Sequence, residues 1–252
     1  MLCATYIHIG SIGTRTERAI HRRGLCRWEE FERNAPRIDS FRRRRILEAL
    51  PRSLEARRRG DLAYFARRLP VAEHWRILAD FERIATFLDI ETSDARPGPD
   101  ALTVVGLFDG RCCSQFVAGR DMEALPHVME RSRILVTYNG ARFDLPLLRA
   151  CGLPFAPGVV HVDLMHLCHR LGIKGGLKGA ERRLGIRRPP EVAGMDGYQA
   201  VLLWRRHLNG DRRALPRLLL YNRCDTVNLM TLWRLLLPRL VRDAFGVPCD
   251  GV

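Results

Sequence analysis

The sequence of 252 residues predicts a mixed α/β sheet flanked by helices, preceded by a small basic helical domain. Three observations carry that expectation. From about residue 84 the chain breaks into short apolar runs of strand length, the first of them ending in Leu88-Asp89-Ile90-Glu91. From Asp121 onward such runs alternate with segments of helical periodicity, as in a sheet whose faces are covered by helices. Ahead of residue 84, apolar residues recur at helical spacing and arginines fill the intervals.

Composition sets the outer bounds. Apolar residues make up 46% and charged residues 28%, the balance of a soluble globular protein. There is no run of about 18 apolar residues, so no membrane span is expected. The opening MLCATYIHIGSIG lacks a basic start and a small-residue cleavage site, which leads to the expectation of a cytoplasmic protein. The cysteines (Cys3, Cys26, Cys112, Cys113, Cys151, Cys168, Cys224 and Cys249) form no C-x-x-C pair, so free thiols are expected rather than a zinc knuckle or a disulfide scaffold. A net charge of +14 and a pI near 10.3 favour a polyanionic partner, nucleic acid first. Residues 1–83 carry 19 basic and 11 acidic side chains, a net of +8, so the front third is the denser cation.

In chain order, the apolar Tyr6-Ile7-His8-Ile9 leads into Gly10-Ser11-Ile12-Gly13 and a helix over Arg15–Ile20. Gly-x-x-Gly opening a helix leaves backbone N–H groups free for a phosphate. The segment resembles a helix-hairpin-helix element, with Ser11 where the usual Gly-hydrophobic-Gly loop has its first glycine. A helical domain that only packs is the other reading. Residues 40–82 predict helices with one apolar stripe (Leu47, Leu50, Leu54, Leu62, Phe65, Leu69), punctuated by Pro51 and Pro70. Their runs Arg42–Arg45 and Arg57–Arg59 are either a solvated face or a nucleic-acid contact.

Strands are expected at Ile84–Ile90, Leu102–Phe108, Cys112–Ala118, Ile134–Tyr138 and Val159–Asp163, the second and third joined by the Asp109-Gly110 turn. Helices are expected over Asp121–Arg131, Asp144–Ala150, Leu164–Leu171, Leu177–Leu184, Gln199–Leu208 and about Arg212 to Leu236. Pro216 fits that last helix only if the helix begins close to it.

Strand alternation puts Asp89 and Glu91 on one face, and two neighbouring acids repel unless a cation lies between them. For hard oxygen ligands that cation is Mg²⁺ or Mn²⁺, or else the pair is a solvated strand end. Asp144, after Asn139-Gly140-Ala141-Arg142-Phe143, opens a helix, where an N-cap is the alternative to a ligand. Tyr221 and Asp225, four apart, share one face of the last helix. The glycine-rich Gly172–Gly179 holds both lysines of the chain, Lys174 and Lys178, and is either a phosphate grip or a plain loop. Asn139 and Phe143 flank the acids and can meet a terminal nucleotide, with Phe143 as a core residue the alternative. His161, Asp163, His166, Cys168 and His169 fit no common zinc spacing, and Asp163 is expected to cap the following helix.

D-I-E, N-x-x-x-F-D and Y-x-x-x-D resemble, in order and spacing, the three motifs of the DEDD exonucleases in their tyrosine form. The stretches LDIETSD, TVVGLFDGR, FVAGRD, LVTYNGARFDLPLL, HVDLMHL, GIKGGLKGAERRLGI, GYQAVLLWRRHLNGD and LLLYNRCDTVNL resemble the YprB-type ribonuclease H-like family over about 84–236. That resemblance implies a DnaQ-like ribonuclease H-like fold and 3′→5′ removal of nucleotides with two ions of Mg²⁺ or Mn²⁺. It implies that Asp89, Glu91 and Asp225 hold the ion beside the attacking water, that Asp89 and Asp144 serve the second, and that Tyr221 orients the water. The substrate would be DNA or RNA, as a single strand or a 3′ end. A binding module without turnover and a two-metal endonuclease are the competing readings. The expected domains are 1–83 (basic, helical), 84–240 (ribonuclease H-like exonuclease) and a tail, 241–252.

Overall fold

The computed structural model describes residues 1–33, 38–93, 101–153 and 155–246. Asp94 of the LDIETSD stretch and the end of the expected tail, with Cys249, lie outside the described residues. The chain divides into two compact units, one made of Met1–Glu82 with the chain from Leu236 onward, the other of Arg83–Leu235.

The first unit is helical: α1 (Thr14–His21), α2 (Trp28–Arg33), α3 (Ser40–Arg59), α4 (Leu62–Ala66) and α5 (Trp75–Phe81). Its core is aromatic, with Tyr6, Trp28, Phe31, Phe65 and Trp75 buried. A buried ion network ties it together. Arg76 bonds Glu17 at 2.9 Å and Glu73 at 2.7 Å, and Glu17 accepts the Tyr6 N–H at 2.7 Å. Each buried charge thus has an opposite partner, without which it would cost several kcal/mol, roughly. In the loop before α1, Ser11 takes φ 73, the left-handed conformation for which a glycine was the usual residue. Pro51 does not punctuate: α3 runs through it, capped by Asp39 at its start and by left-handed Gly60 at its end. Ile46, Leu50 and Ala56 are buried on both sides of the proline, and that packing outweighs the one backbone bond it removes.

The second unit carries one five-stranded sheet in the order β3-β2-β1-β4-β5, from β1 (Ala85–Thr92), β2 (Leu102–Phe108), β3 (Cys113–Val117), β4 (Ile134–Thr137) and β5 (Val160–Asp163). β1, β2 and β3 pair antiparallel, whereas β4 and β5 join parallel to β1. The helices are α6 (Leu125–Met129), α7 (Asp144–Ala150), α8 (Leu164–Arg170), α9 (Gly176–Leu184), α10 (Gly197–Leu208) and α11 (Ala214–Phe245). The mixed sheet flanked by helices, with a helical region before it, is the architecture expected. Leu88, Ile90, Val105 and Leu107 pack with Leu125, Leu145 and Leu148 in one core cluster, and Val104 and Val117 with Trp204, Leu218 and Tyr221 in another. The expected helix over Asp121–Arg131 is shorter, a 3-10 turn at Met122–Ala124 followed by α6.

Pro216 lies in the first turn of α11, where its missing N–H has no helical partner to lose. α11 runs on through residues 241–245 to Phe245. Within the first unit Arg18 donates to the carbonyls of Ala244 (3.2 Å) and Asp243 (2.9 Å), and Phe245 meets the His21 ring at 4.4 Å.

Candidate metal centre

β1 pairs with β4 only over Ala85–Phe87, so beyond Phe87 its edge on that side is open. Asp89 and Glu91 sit on this free length, facing away from the side chains of Leu88 and Ile90. α11 brings Asp225 to them, and one carboxylate oxygen of each of Asp89, Glu91 and Asp225 lies within 4.8 Å of the others. Glu91 and Asp225 are buried and Asp89 is half-buried. Among the described residues this is the one His/Cys/Asp/Glu group so arranged, and the cluster His161–His169 does not form one.

The close seating of α11 depends on Gly106 of β2, the partner of Asp89 in the ladder. A Cβ there would stand 2.2 Å from Thr226 Oγ1 and 2.5 Å from Asn222 Oδ1. Asn222 donates from Nδ2 to Asp89 Oδ2 at 3.1 Å and to the Asp89 carbonyl at 3.3 Å, and also bonds Glu91. Gln115 of β3 fixes Asn222 in turn through a 2.9 Å bond to its Oδ1.

Asp144 stands just outside the triad. It is not an N-cap: Phe143 holds that position, and the Asp144 carboxylate accepts the Ile90 N–H, between Asp89 and Glu91 on the open edge of β1. Burial pushes the Asp144 carboxyl up to about 7, with the nearby Asp163 charge adding to it. Burial, then the charges of Asp225, Glu91 and Asp144, hold Asp89 well above the ordinary carboxylate range. Glu91 is raised likewise, by burial and then by Asp225. Glu91 Oε1 is buried without a hydrogen-bond partner among the described residues. A crowded set of hard oxygen donors that includes the unsatisfied Glu91 Oε1 fits Mg²⁺ or Mn²⁺.

The loop carrying Asn139 is held by Asp163. Its Oδ1 accepts the N–H of Asn139 (2.8 Å) and of Met165 (3.0 Å), and its Oδ2 that of Ala141 (3.2 Å). Asp163 therefore caps α8, as expected, and also pins Asn139 in a left-handed turn at φ 63. Phe143 is 49% exposed, which excludes a core role. With Thr92, Ser93, Arg142 and Leu147 it lines a cavity of about 550 Å³ beside the end of β1.

Tyr221 is buried on α11, and its hydroxyl is held protonated, raised first by burial and then by Asp225, Glu91 and Asp89. Lys178 donates to that hydroxyl and lies 3.7 Å from Asp225 Oδ2. Of the two lysines expected to meet phosphate, Lys178 is thus inside the acid cluster, and Lys174 stays on the exposed loop. Three further residues were not singled out in the sequence. Arg188 contacts Asp225 Oδ1, Glu181 holds Arg188, and Asn222 holds Asp89. Asn222 was within reach of helical spacing, being next to Tyr221 and three before Asp225. Arg188 carried no such mark.

The fold and this acid cluster define a ribonuclease H-like α/β unit. A family model of the RNase H superfamily matches residues 86–237, more than half of the chain, and the chain belongs to that superfamily. Among solved structures, the family B DNA polymerase from the hyperthermophilic archaeon Pyrobaculum calidifontis is similar over 66% of the chain, at 23% identity and a TM-score of 0.52. The chain spans only 26% of that polymerase's length, and the likeness is one of fold. A structure described as the apo form of a nuclease is 22% identical over 64% of this chain and 75% of its own, with a TM-score of 0.44. No curated protein sequence matches the chain. Among the described residues no helix is long and apolar enough to cross a membrane.

Proposed function

We propose that the protein is a divalent-metal-dependent nuclease of the DEDD exonuclease type in its tyrosine form, related to the YprB-type family, that removes nucleotides from the 3′ end of DNA or RNA in the cytoplasm. The observation that carries this reading is the triad of Asp89, Glu91 and Asp225, with ligand oxygens within 4.8 Å of one another on a superfamily fold. Bound there as two ions, Mg²⁺ or Mn²⁺ would stabilise charge on the entering and leaving oxygens of a phosphodiester.

The chain's own residues take the remaining roles. Asp89 would serve both cation positions, Glu91 and Asp225 the one beside the attacking water, and Asp144 the other, directly or through water. The Tyr221 hydroxyl, kept protonated, orients that water. Asn139 and the exposed Phe143 contact the terminal nucleotide next to the cavity, and Phe143 offers its ring for stacking. Lys174 and Lys178 meet phosphates, and the arginine-rich residues 1–83 add a salt-sensitive hold on the backbone.

The test is cleavage of 5′-labelled single-stranded and duplex DNA and RNA with Mg²⁺ or Mn²⁺, beside an Asp89→Ala control. A ladder shortening from the 3′ end and lost in the variant is expected. Internal cuts would replace the exonuclease with an endonuclease. No cleavage with either metal would leave a nucleic-acid-binding module.

A further inference from the structure

We infer that Arg188 is a positioning residue of the centre: clamped by Glu181, it holds one oxygen of Asp225 and so leaves the other to face Asp89 and Glu91. The inference deepens the nuclease reading and rests on it. The clamp is bidentate. Arg188 Nε donates to Glu181 Oε2 at 2.7 Å and Nη2 to Oε1 at 2.8 Å, the fork-on-carboxylate geometry that fixes a guanidinium in orientation as well as place. Glu181 is itself tied to α11 by Asn228, whose Nδ2 donates to Oε1 at 2.8 Å. α9 and α11 are thereby joined one helical turn beyond Asp225.

Arg188 is buried, and its Nη2 also contacts Asp225 Oδ1. Its third arm, Nη1, has no hydrogen-bond partner among the described residues, and the guanidinium also lies over the Tyr221 ring, 5.7 Å from its centroid, so the Glu181 fork, the ion pair to Asp225 and that ring place the group. The second oxygen, Oδ2, lies on the side of Lys178. One carboxylate oxygen of Asp225 lies within 4.8 Å of an oxygen of Asp89 and of Glu91, and with Oδ1 taken by Arg188 that place falls to Oδ2. A buried Glu–Arg pair is weak as a stabiliser, because desolvation offsets its attraction. Its third contact, onto a carboxylate proposed to ligate metal, gives it a purpose that packing does not. Outer partners of this kind orient ligands, and their loss costs about 10- to 100-fold in metal affinity.

Charge and position make opposite demands on this arginine. As a cation near the cluster it weakens the binding of another cation, so a role in charge alone predicts tighter metal binding once it is removed. As a positioning group it predicts weaker binding, even when the charge is retained. Arg188→Lys keeps the charge and loses the fork.

Mn²⁺ binding to the full chain is measured by titration calorimetry, together with kcat and KM on single-stranded DNA. For Arg188→Lys we expect Mn²⁺ affinity to fall about 10- to 100-fold and kcat to fall with KM unchanged. A double variant, Glu181→Leu with Arg188→Met, removes the buried pair together and leaves no lone charge behind, so it tests position independently of the fold's tolerance for a lysine. Its Mn²⁺ affinity should fall in the same range. Wild-type or tighter affinity in either variant overturns the role of Arg188. A wild-type chain that binds no Mn²⁺ and cuts nothing overturns the nuclease reading instead.

Discussion

Replacing Gly106 with alanine should damage the centre through the backbone of the neighbouring strand. The added methyl would lie 2.2 Å from Thr226 Oγ1 and 2.5 Å from Asn222 Oδ1, whereas ordinary carbon contacts are about 3.5 Å or more. Neither side chain is free to yield. Thr226 Oγ1 donates to the Asn222 carbonyl at 2.8 Å, and Asn222 is held between Gln115 and Asp89. α11 must therefore move off β2 by about 1 Å or release Asn222. Overpacking of this kind costs about 1–3 kcal/mol, and a lost buried hydrogen bond about 1 kcal/mol more. Exchanging a strand glycine for alanine returns only about 0.5–1 kcal/mol. A net loss of about 2 kcal/mol is expected in urea unfolding, together with weaker Mn²⁺ binding because Asp225 travels with α11. Wild-type stability with undiminished Mn²⁺ affinity would show that α11 does not close on β2 as described.

The other expectations can be checked on the same material. Because Asp89, Glu91 and Asp225 crowd together, Mn²⁺ should raise the unfolding temperature of the wild type but not of Asp89→Ala, which in chelator should melt above the wild type; equal shifts would place the ion elsewhere. Burial pushes His8 down to about 3 and His21 to about 4 from an ordinary 6.5, so both stay neutral in the fold. Their contribution is complete above pH 6.5 and is lost as pH falls through about 4 and then about 3, several kcal/mol in order of magnitude. The raised carboxyls of Asp89, Glu91 and Asp144 work the other way over the same range. The check is therefore the difference in metal-free stability from a variant with both histidines replaced by glutamine, and a difference that stays level from pH 7 to about 4 would contradict it. Phe245→Ala should cost about 3–5 kcal/mol in thermal unfolding, since that ring is fully buried in the helical unit; a change under about 1 kcal/mol would mean that the end of α11 is dispensable.

What was legible in the sequence followed from periodicity, and what was not followed from contacts between distant segments. Leu88-Asp89-Ile90-Glu91 could be placed because a strand alternates its faces, and the structure does set both acids on the side reached by α11. Asp144 was ambiguous because an Asp at a helix start is usually a cap; the bond from the Ile90 N–H, which decides the matter, joins residues far apart in the chain. The last helix was expected to end at about Leu236, with 241–252 as a tail. Phe245 belongs instead to the core of the helical unit, and the Ala244 and Asp243 carbonyls receive Arg18. Arg188 was invisible for a statistical reason with a physical origin. It stands among 40 arginines, and only its contacts with the Glu181 carboxylate and with Asp225, distant in the chain, separate it from the solvated ones.

The two cations at the centre are not equivalent, and the difference predicts opposite outcomes for them. Arg188 is 6% exposed and held by a planar fork on Glu181. Lys178 is 31% exposed, sits on a flexible four-carbon stem, and touches Asp225 Oδ2 only at 3.7 Å. It is a cation that can leave. A divalent ion bound at the triad would compete with it for Oδ2, and a displaced Lys178 would be free to meet a substrate phosphate, the role proposed for it. Lys178→Met should accordingly bind Mn²⁺ more tightly than the wild type while cleaving nucleic acid more slowly. Weaker Mn²⁺ binding in Lys178→Met would mean that Lys178 supports the acids rather than competing for them, and its place among the phosphate contacts would fall with that result.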